Sequence, residues 1–261
     1  MTDFRKLSRE FDAFQRRKEA QWAAPIYKAI RKQVAEFLAV YKERPQSIVI
    51  INPAPLHKVL SALYQDTGTS WGRTTHAYIR TEIAEKARPV IGLSEFLRAA
   101  MQKYFEIDLL NDVQRIDDVT RENILIALQR AVDEGLSLDE TVQLIDETAI
   151  PRWRARLIAR TETVTAANQG AAFAASRTSI KLNKTWISVQ DARTRPHHRD
   201  MHLVEVPENE NFIVAGNPMK QPGDRGIQGN RTPASEICNC RCVVGYRGQR
   251  DSRGRLIRRD G

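Results

Sequence analysis

The chain has 261 residues, enough for one large domain or two small ones. Its 41 Lys and Arg against 32 Asp and Glu leave a net charge of +9, which suits contact with nucleic acid or an acidic protein surface. A hydrophobic share of 41% argues against gross disorder, and no apolar run approaches the ~20 residues that a bilayer span needs.

The first elements read as helix. Phe4, Leu7, Phe11 and Phe14 recur at three-four spacing, and the stripe resumes in Ile26, Ile30, Val34, Phe37 and Tyr41. Pro25 falls between the two runs and predicts a break into two helices. Ile48-Val49-Ile50-Ile51, bracketed by Pro45 and Pro53, predicts an extended connector or a short strand. Helical spacing restarts at Leu56, Val59, Leu60, Leu63 and Tyr64; Gly68 and Gly72 predict a bend before Tyr78, Ile79 and Ile83.

Ser94 and Thr120 each precede an apolar helical run and predict helix starts. Gly135 predicts a stop, and Ser137 with Glu140 has capping-box spacing. Pro151 opens a long helix, Arg152 to about Ser179, whose second half is rich in alanine.

After Lys181 the pattern changes to alternation. Thr185–Val189, Asn211–Val214 and Cys242–Tyr246 read as strands, joined by loops carrying Pro196, Pro207, Pro218, Pro222 and Pro233. The fold class is therefore α+β: a helical N-terminal region, then a small domain of few short strands and long loops. The composition divides the chain into a helical region 1–150, an α+β region 151–246 and a tail 247–261. The stretch from Gly245 onward holds six arginines and two aspartates with almost nothing to bury, which predicts a mobile tail or one ordered only by a partner.

All three cysteines of the chain, Cys238, Cys240 and Cys242, fall within five residues. On an extended strand the i, i+2 spacing would put the three thiols on one face. Without a signal-like start at Met1-Thr2-Asp3-Phe4, a reducing compartment and a local thiol site are expected rather than a disulfide framework. His197, His198 and His202 lie some forty residues upstream across the loops, so histidines and thiols would pin a long loop at its base.

In the last third, several motifs follow one another in a telling order. Arg160-Thr161-Glu162-Thr163 and Ala167-Asn168-Gln169-Gly170 lie on the long helix, followed by Trp186 and then by Asp191-Ala192-Arg193-Thr194-Arg195-Pro196-His197-His198. Phe212, Pro222-Gly223-Asp224 and Asn239-Cys240-Arg241-Cys242 complete the series. Over roughly residues 150 to 246 this order resembles the phage Mu F-like minor head proteins, the phage head morphogenesis family.

The resemblance implies a virion component of a tailed bacteriophage. It would be made at low copy number, be associated with the portal inside the head, and contribute to head assembly or to genome packaging and delivery. The implied partners are the portal protein, packaged double-stranded DNA bound without regard to sequence, and the major capsid or scaffold protein. Host cytoplasm during assembly is the implied earlier location, and no membrane is involved. Relatives that carry toxin domains extend well beyond Asn-Cys-Arg-Cys, so this chain reads as the bare form.

Arg160, Glu162, Asp191, Arg195, His198, Cys240 and Cys242 are the candidate structural loop cluster, with Arg160 and Glu162 as ion-pairing residues between helix and loop. His198, His202, Cys240 and Cys242 would furnish a tetrahedral zinc set, although the reading requires no cofactor. Arg247, Arg250, Arg253, Arg255, Arg258 and Arg259 are the candidate DNA contacts, through phosphates. A rival class is a metal-dependent, nuclease-like hydrolase with Asp191 as ligand and His198 as general base. No second carboxylate motif accompanies them, and that favours a loop-fixing network.

Overall fold

A computed structural model describes residues 3–83, 92–227 and 230–259. The elements run α1 (Phe4–Glu43), α2 (Ala54–Glu82), α3 (Leu93–Asp108), α4 (Leu110–Asp133), α5 (Leu138–Thr148) and α6 (Arg152–Ala175). There follow β1 (Leu182–Ile187), α7 (Pro196–Asp200), β2 (Glu205–Pro207), β3 (Phe212–Val214), β4 (Asn217–Met219), β5 (Gly226–Ile227), β6 (Asn230–Arg231), α8 (Ala234–Ile237) and β7 (Val243–Gly248). The class is α+β. Its compact units are each discontinuous in sequence: one holds 1–19, 63–102 and 160–261, the other 20–62 and 103–159.

Several predicted boundaries move. Pro25 does not break the first helix, because α1 runs straight through it. A proline forfeits one backbone hydrogen bond, but Phe11 and Phe14 before it and Ile26 and Ile30 after it are all buried, and burial on both flanks holds the helix. At its start the Asp3 carboxylate accepts from the Arg5 and Lys6 amides at 3.0 and 3.1 Å, an N-cap that apolar spacing alone does not reveal. Residues 48–51 form a connector without strand pairing, in which Val49 is buried and Ile48 and Ile50 are exposed. Ser94 lies inside α3, one residue past its first, and Thr120 lies in the middle of α4, where its hydroxyl donates to the Ile116 carbonyl at 3.0 Å. Gly135 does end α4, at φ +64°, and Ser137 and Glu140 form the capping box of α5.

In the unit of 20–62 and 103–159, Ile26, Ile30, Leu56, Leu60, Phe105, Ile124 and Ile145 make the apolar core. Several of its buried polar groups pair with one another. Gln33 donates to Asn52 O at 2.7 Å and to Asp117 Oδ1 at 2.8 Å, and Arg154 donates to Thr120 Oγ1 at 3.0 Å and Ile116 O at 2.7 Å.

The other unit is built on a contact between the backbones of α2 and α6. A Cβ placed on Gly170 would lie 2.1 Å from the Gly68 carbonyl oxygen, and one on Gly72 would lie 2.7 Å from that of Gly170. The glycines of α2 thus mark a helix crossing rather than the predicted bend. Beside it, Phe11 and Phe14 pack on Trp71 with ring centroids 5.0 Å apart.

The three-stranded antiparallel sheet, in the order β2-β1-β7, closes this core. Its register sets Trp186 opposite Val244 and Ile187 opposite Val243. Trp186 is fully buried. Beyond the sheet, β3–β4 and β5–β6 are separate antiparallel hairpins.

The segment after β7 is ordered against the chain's own backbone, where a mobile or partner-ordered tail was expected. Its backbone pairs with residues 179–181: Lys181 N donates to Ile257 O, Gln249 N to Lys181 O and Arg259 N to Ser179 O, at 2.8–2.9 Å. Leu256 packs against the core and Arg259 pairs with Glu208 at 2.6 Å. Side-chain composition misses this because main-chain groups do most of the holding.

Candidate functional site

The motifs of the last third converge on one polar face of α6. Thr161, Thr165 and Asn168 repeat at four- and three-residue steps, so they share one side of the helix. Each is buried and each binds a loop. Thr161 Oγ1 accepts from Asn239 N at 3.0 Å, and Thr165 Oγ1 donates to Gly223 O at 3.1 Å. Asn168 donates to Cys242 O at 3.1 Å and accepts from Val244 N at 2.9 Å. A helix that buries polar residues in this way carries little amphipathic signal, which is why spacing does not single it out.

Flanking residues extend the clamp. Arg160 binds both carboxylate oxygens of Glu19, at 2.7 and 2.9 Å, and Asn239 Oδ1 at 2.6 Å. Glu162 accepts from Arg225 at 2.6 Å and from the Tyr64 hydroxyl at 2.6 Å. Arg160 and Glu162 therefore ion-pair with separate partners rather than with each other, and both tie the helix to loops. The Pro222-Gly223-Asp224 turn presses on the helix: Gly223 has φ +81°, and a Cβ there would lie 2.9 Å from Thr165 Oγ1.

The two chemistry-bearing segments interlock through alternate residues. Asp191 folds its own turn, accepting from Arg193 N at 3.0 Å and Thr194 Oγ1 at 3.1 Å. Its carboxylate also binds Arg241 through two hydrogen bonds of 2.5 and 2.7 Å, and these hold it well below the usual carboxylate range. Arg195 donates to the Cys238 carbonyl. One turn of α7 later, His198 faces the thiols, its Nδ1 3.6 Å from Cys240 Sγ and 3.5 Å from Cys242 Sγ. Its Nε2 lies 3.1 Å from Glu236 of α8.

The cysteines do not share one strand face. Helix α8 precedes them, and Asn239 adopts φ +60°, a left-handed turn that asparagine tolerates. This turn leaves Cys238 exposed while Cys240 and Cys242 point inward. Burial pushes the Cys242 thiol up, whereas the contacts of Cys240 with Cys242 and His198 bring its thiol down.

His198, Cys240 and Cys242 come together as predicted, and Asp191 joins them through Arg241. His202 does not: its Nδ1 accepts from Ser188 N at 3.2 Å, since it sits past the end of α7 beside β1. His197 is exposed. The candidate cluster left out Glu236, Arg225 and Glu19, and also Asn168 and Arg241, which appear only in the motif series. Of these, Arg241 was legible as the one charge inside Asn-Cys-Arg-Cys.

The candidate DNA arginines divide into two groups. Arg247 lies 4.1 Å over the Phe4 ring, Arg250 donates to Gly254 O at 2.9 Å, Arg255 pairs with Asp251 at 2.9 Å, and Arg259 pairs with Glu208. Arg250, Arg253, Arg255 and Arg258 are all exposed, and of these Arg253 and Arg258 make no side-chain pairing among the described residues.

The motifs that this buried polar helix face locks together are those that resemble the Mu F-like phage head proteins. Residues 122–245 match the family described as Phage Mu protein F like protein, so the match begins within α4, upstream of the motifs. The chain is similar to Minor head protein GP7 of Bacillus phage SPP1, 28% identical over 137 residues, or 51% of this chain and 42% of that protein. It is also similar to NAD(+)--arginine ADP-ribosyltransferase EFV of Enterococcus faecalis (strain ATCC 700802 / V583), 30% identical over 131 residues, or 49% of this chain and 26% of that protein. The chain thus matches less than half the length of either relative. No solved structure matches it.

Proposed function

We propose that this chain is a minor head protein of a tailed bacteriophage that acts structurally, bound to the portal inside the head, in assembly and in genome packaging or delivery. The observation that carries this reading is the Mu F-like region itself, whose motif residues are spent on holding loops to α6. Asp191 is committed to Arg241, and His198, Cys240 and Cys242 are each about 98–99% buried, so in this fold a macromolecular substrate does not reach them. A clamp of this kind fits a rigid assembly part better than a hydrolase. Among the described residues no helix is long and apolar enough to cross a membrane.

A net charge of +9 supports contact with packaged DNA or with an acidic face of the portal. Arg253 and Arg258 are the tail arginines best placed for phosphate contact. Removing residues 247–261 would be a poor test, since it would take away part of β7 and Leu256 of the core. The charge reversals Arg253→Glu and Arg258→Glu leave β7 and Leu256 in place and are the better test. Portal rings and heads are to be purified from cells expressing the wild-type chain, and the chain quantified in each by mass spectrometry. Co-purification with both supports the proposal, and absence from both removes it.

A further inference from the structure

The paired thiols and the histidine of this chain form a cluster that the loop clamp alone does not explain. Cys240 Sγ, Cys242 Sγ and one ring nitrogen of His198 all lie within 4.8 Å of one another, and all three side chains are buried. We propose that His198 Nδ1, Cys240 Sγ and Cys242 Sγ bind one zinc ion, with Glu236 orienting the histidine.

Geometry supports this first. Zinc bonds of ~2.3 Å to sulfur and ~2.05 Å to nitrogen, set at the tetrahedral angle, separate N and S by about 3.6 Å. The Nδ1 to Sγ separations are 3.5 and 3.6 Å. A ring nitrogen makes one linear hydrogen bond, whereas a single ion lying between the three atoms satisfies both contacts at once.

The far side of the ring agrees. Nε2 faces the Glu236 carboxylate at 3.1 Å, and Glu236 is itself buried. A carboxylate on the far ring nitrogen is how metal-bound histidines are held and made more basic. It fixes the proton on Nε2 and leaves Nδ1 free to bind.

A third observation points at the sulfurs. Trp186 Nε1 is buried, among the described residues it makes no hydrogen bond to an oxygen or nitrogen, and its indole lies against Cys242. An indole N–H donates only, and a metal-bound thiolate is an acceptor where a neutral thiol is a weak one. The Cys242 amide, 3.4 Å from Cys240 Sγ, is a second donor of the same kind.

Charge settles the choice of ion. Two thiolates neutralise a divalent cation, so the ion and its three ligands carry no net charge of their own, whereas two bare thiolates in this interior would be costly. Soft thiolates with an imidazole select zinc over magnesium or calcium. The fourth position is left to water or an outside donor. Because the ligands are buried, the ion enters as the domain folds, and its binding energy contributes to folding.

The full chain, purified under reducing conditions without chelator, is to be analysed for metal by mass spectrometry and titrated with cobalt(II) as a spectroscopic probe. About one zinc per chain is expected, with tetrahedral d–d bands and a thiolate-to-cobalt charge-transfer band on substitution. Cys238→Ser, outside the cluster, keeps the metal; Cys240→Ser and Cys242→Ser lose it; Glu236→Gln weakens zinc affinity about 10- to 100-fold. Should the thiol variants fail to fold, melting of the wild-type chain with and without chelator replaces them, and a lower melting temperature in chelator is expected. Substoichiometric zinc with no cobalt bands overturns the proposal. So does a double Cys240→Ser, Cys242→Ser variant that retains zinc, or melting that chelator leaves unchanged.

Discussion

Gly170→Ala adds one methyl group at the crossing of α2 and α6. On helix propensity alone it should stabilise, by about 1 kcal/mol. The structure sets the opposite sign. The new Cβ would lie 2.1 Å from Gly68 O, 2.6 Å from Gly68 C and 2.7 Å from Gly68 Cα, and none of these backbone atoms can swing away. Non-bonded carbon contacts need roughly 3.5 Å, so the helices must part by about 1 Å, enough to forfeit a quarter to a half of each affected contact. Overpacking of this sort costs about 1–3 kcal/mol and more where backbone is the obstacle. With the obstacle a backbone, the upper end of about 3 kcal/mol applies, and subtracting the propensity gain leaves a net loss of about 2 kcal/mol. Urea unfolding read by hydrogen exchange of the α2 and α6 amides measures it in the right unit. Gly216→Ala is the control: φ there is +79° and nothing lies within 4 Å of its Cβ, so it should cost only about 1–2 kcal/mol, from backbone strain. A Gly170→Ala chain as stable as wild type, or more so, would refute the close crossing.

Further outcomes follow from the clamp and its charges. Asn168→Leu strands the Cys242 carbonyl and the Val244 amide and should cost about 2–4 kcal/mol in the same unfolding assay; a loss below about 1 kcal/mol would contradict the clamp. Asp191 is a depressed carboxylate, so its contribution is present above the unfolded value of ~3.9 and fades as pH falls toward its lower folded value. The stability gap between wild type and Asp191→Asn should therefore shrink below about pH 4, and a gap that does not change with pH counts against the Asp191–Arg241 pair. Burial brings Lys184 down to about 8, so the folded state disfavours its ammonium form. Its drag on stability is complete below about pH 8 and disappears toward the unfolded value of ~10.4, so wild type should gain on Lys184→Met across that window. A flat difference would show that Lys184 stays solvated. Reversing Arg253 and Arg258 to Glu should weaken DNA binding and flatten its salt dependence by about two phosphate contacts; unchanged binding would remove the tail from the interface.

The α+β class was legible because the chain changes period once, from three-four apolar spacing to alternation near Thr185. The capping box at Ser137 and the stop at Gly135 were legible for the same reason: each is a local signal read by a few neighbouring atoms. Pro25, Gly68 and Gly72 misled. Each is a helix breaker by local rules, and long-range packing overrides each one: apolar burial around Pro25, a helix crossing at Gly68 and Gly72. The site was half legible. His198, Cys240 and Cys242 announced themselves by residue type, but His202 looked equally suitable until the end of α7 turned it toward Ser188. Glu236 could not be seen, because its role depends on a short helix that folds back across 38 residues to reach His198.

The account stands most directly on whether this chain is part of the particle. Heads and procapsids assembled from the genome that encodes it, purified and analysed by quantitative mass spectrometry, decide the matter. The account predicts the chain in both, at a few copies per portal ring and far below the major capsid protein. Its absence from purified heads and procapsids alike, while present in the infected cell, would contradict it.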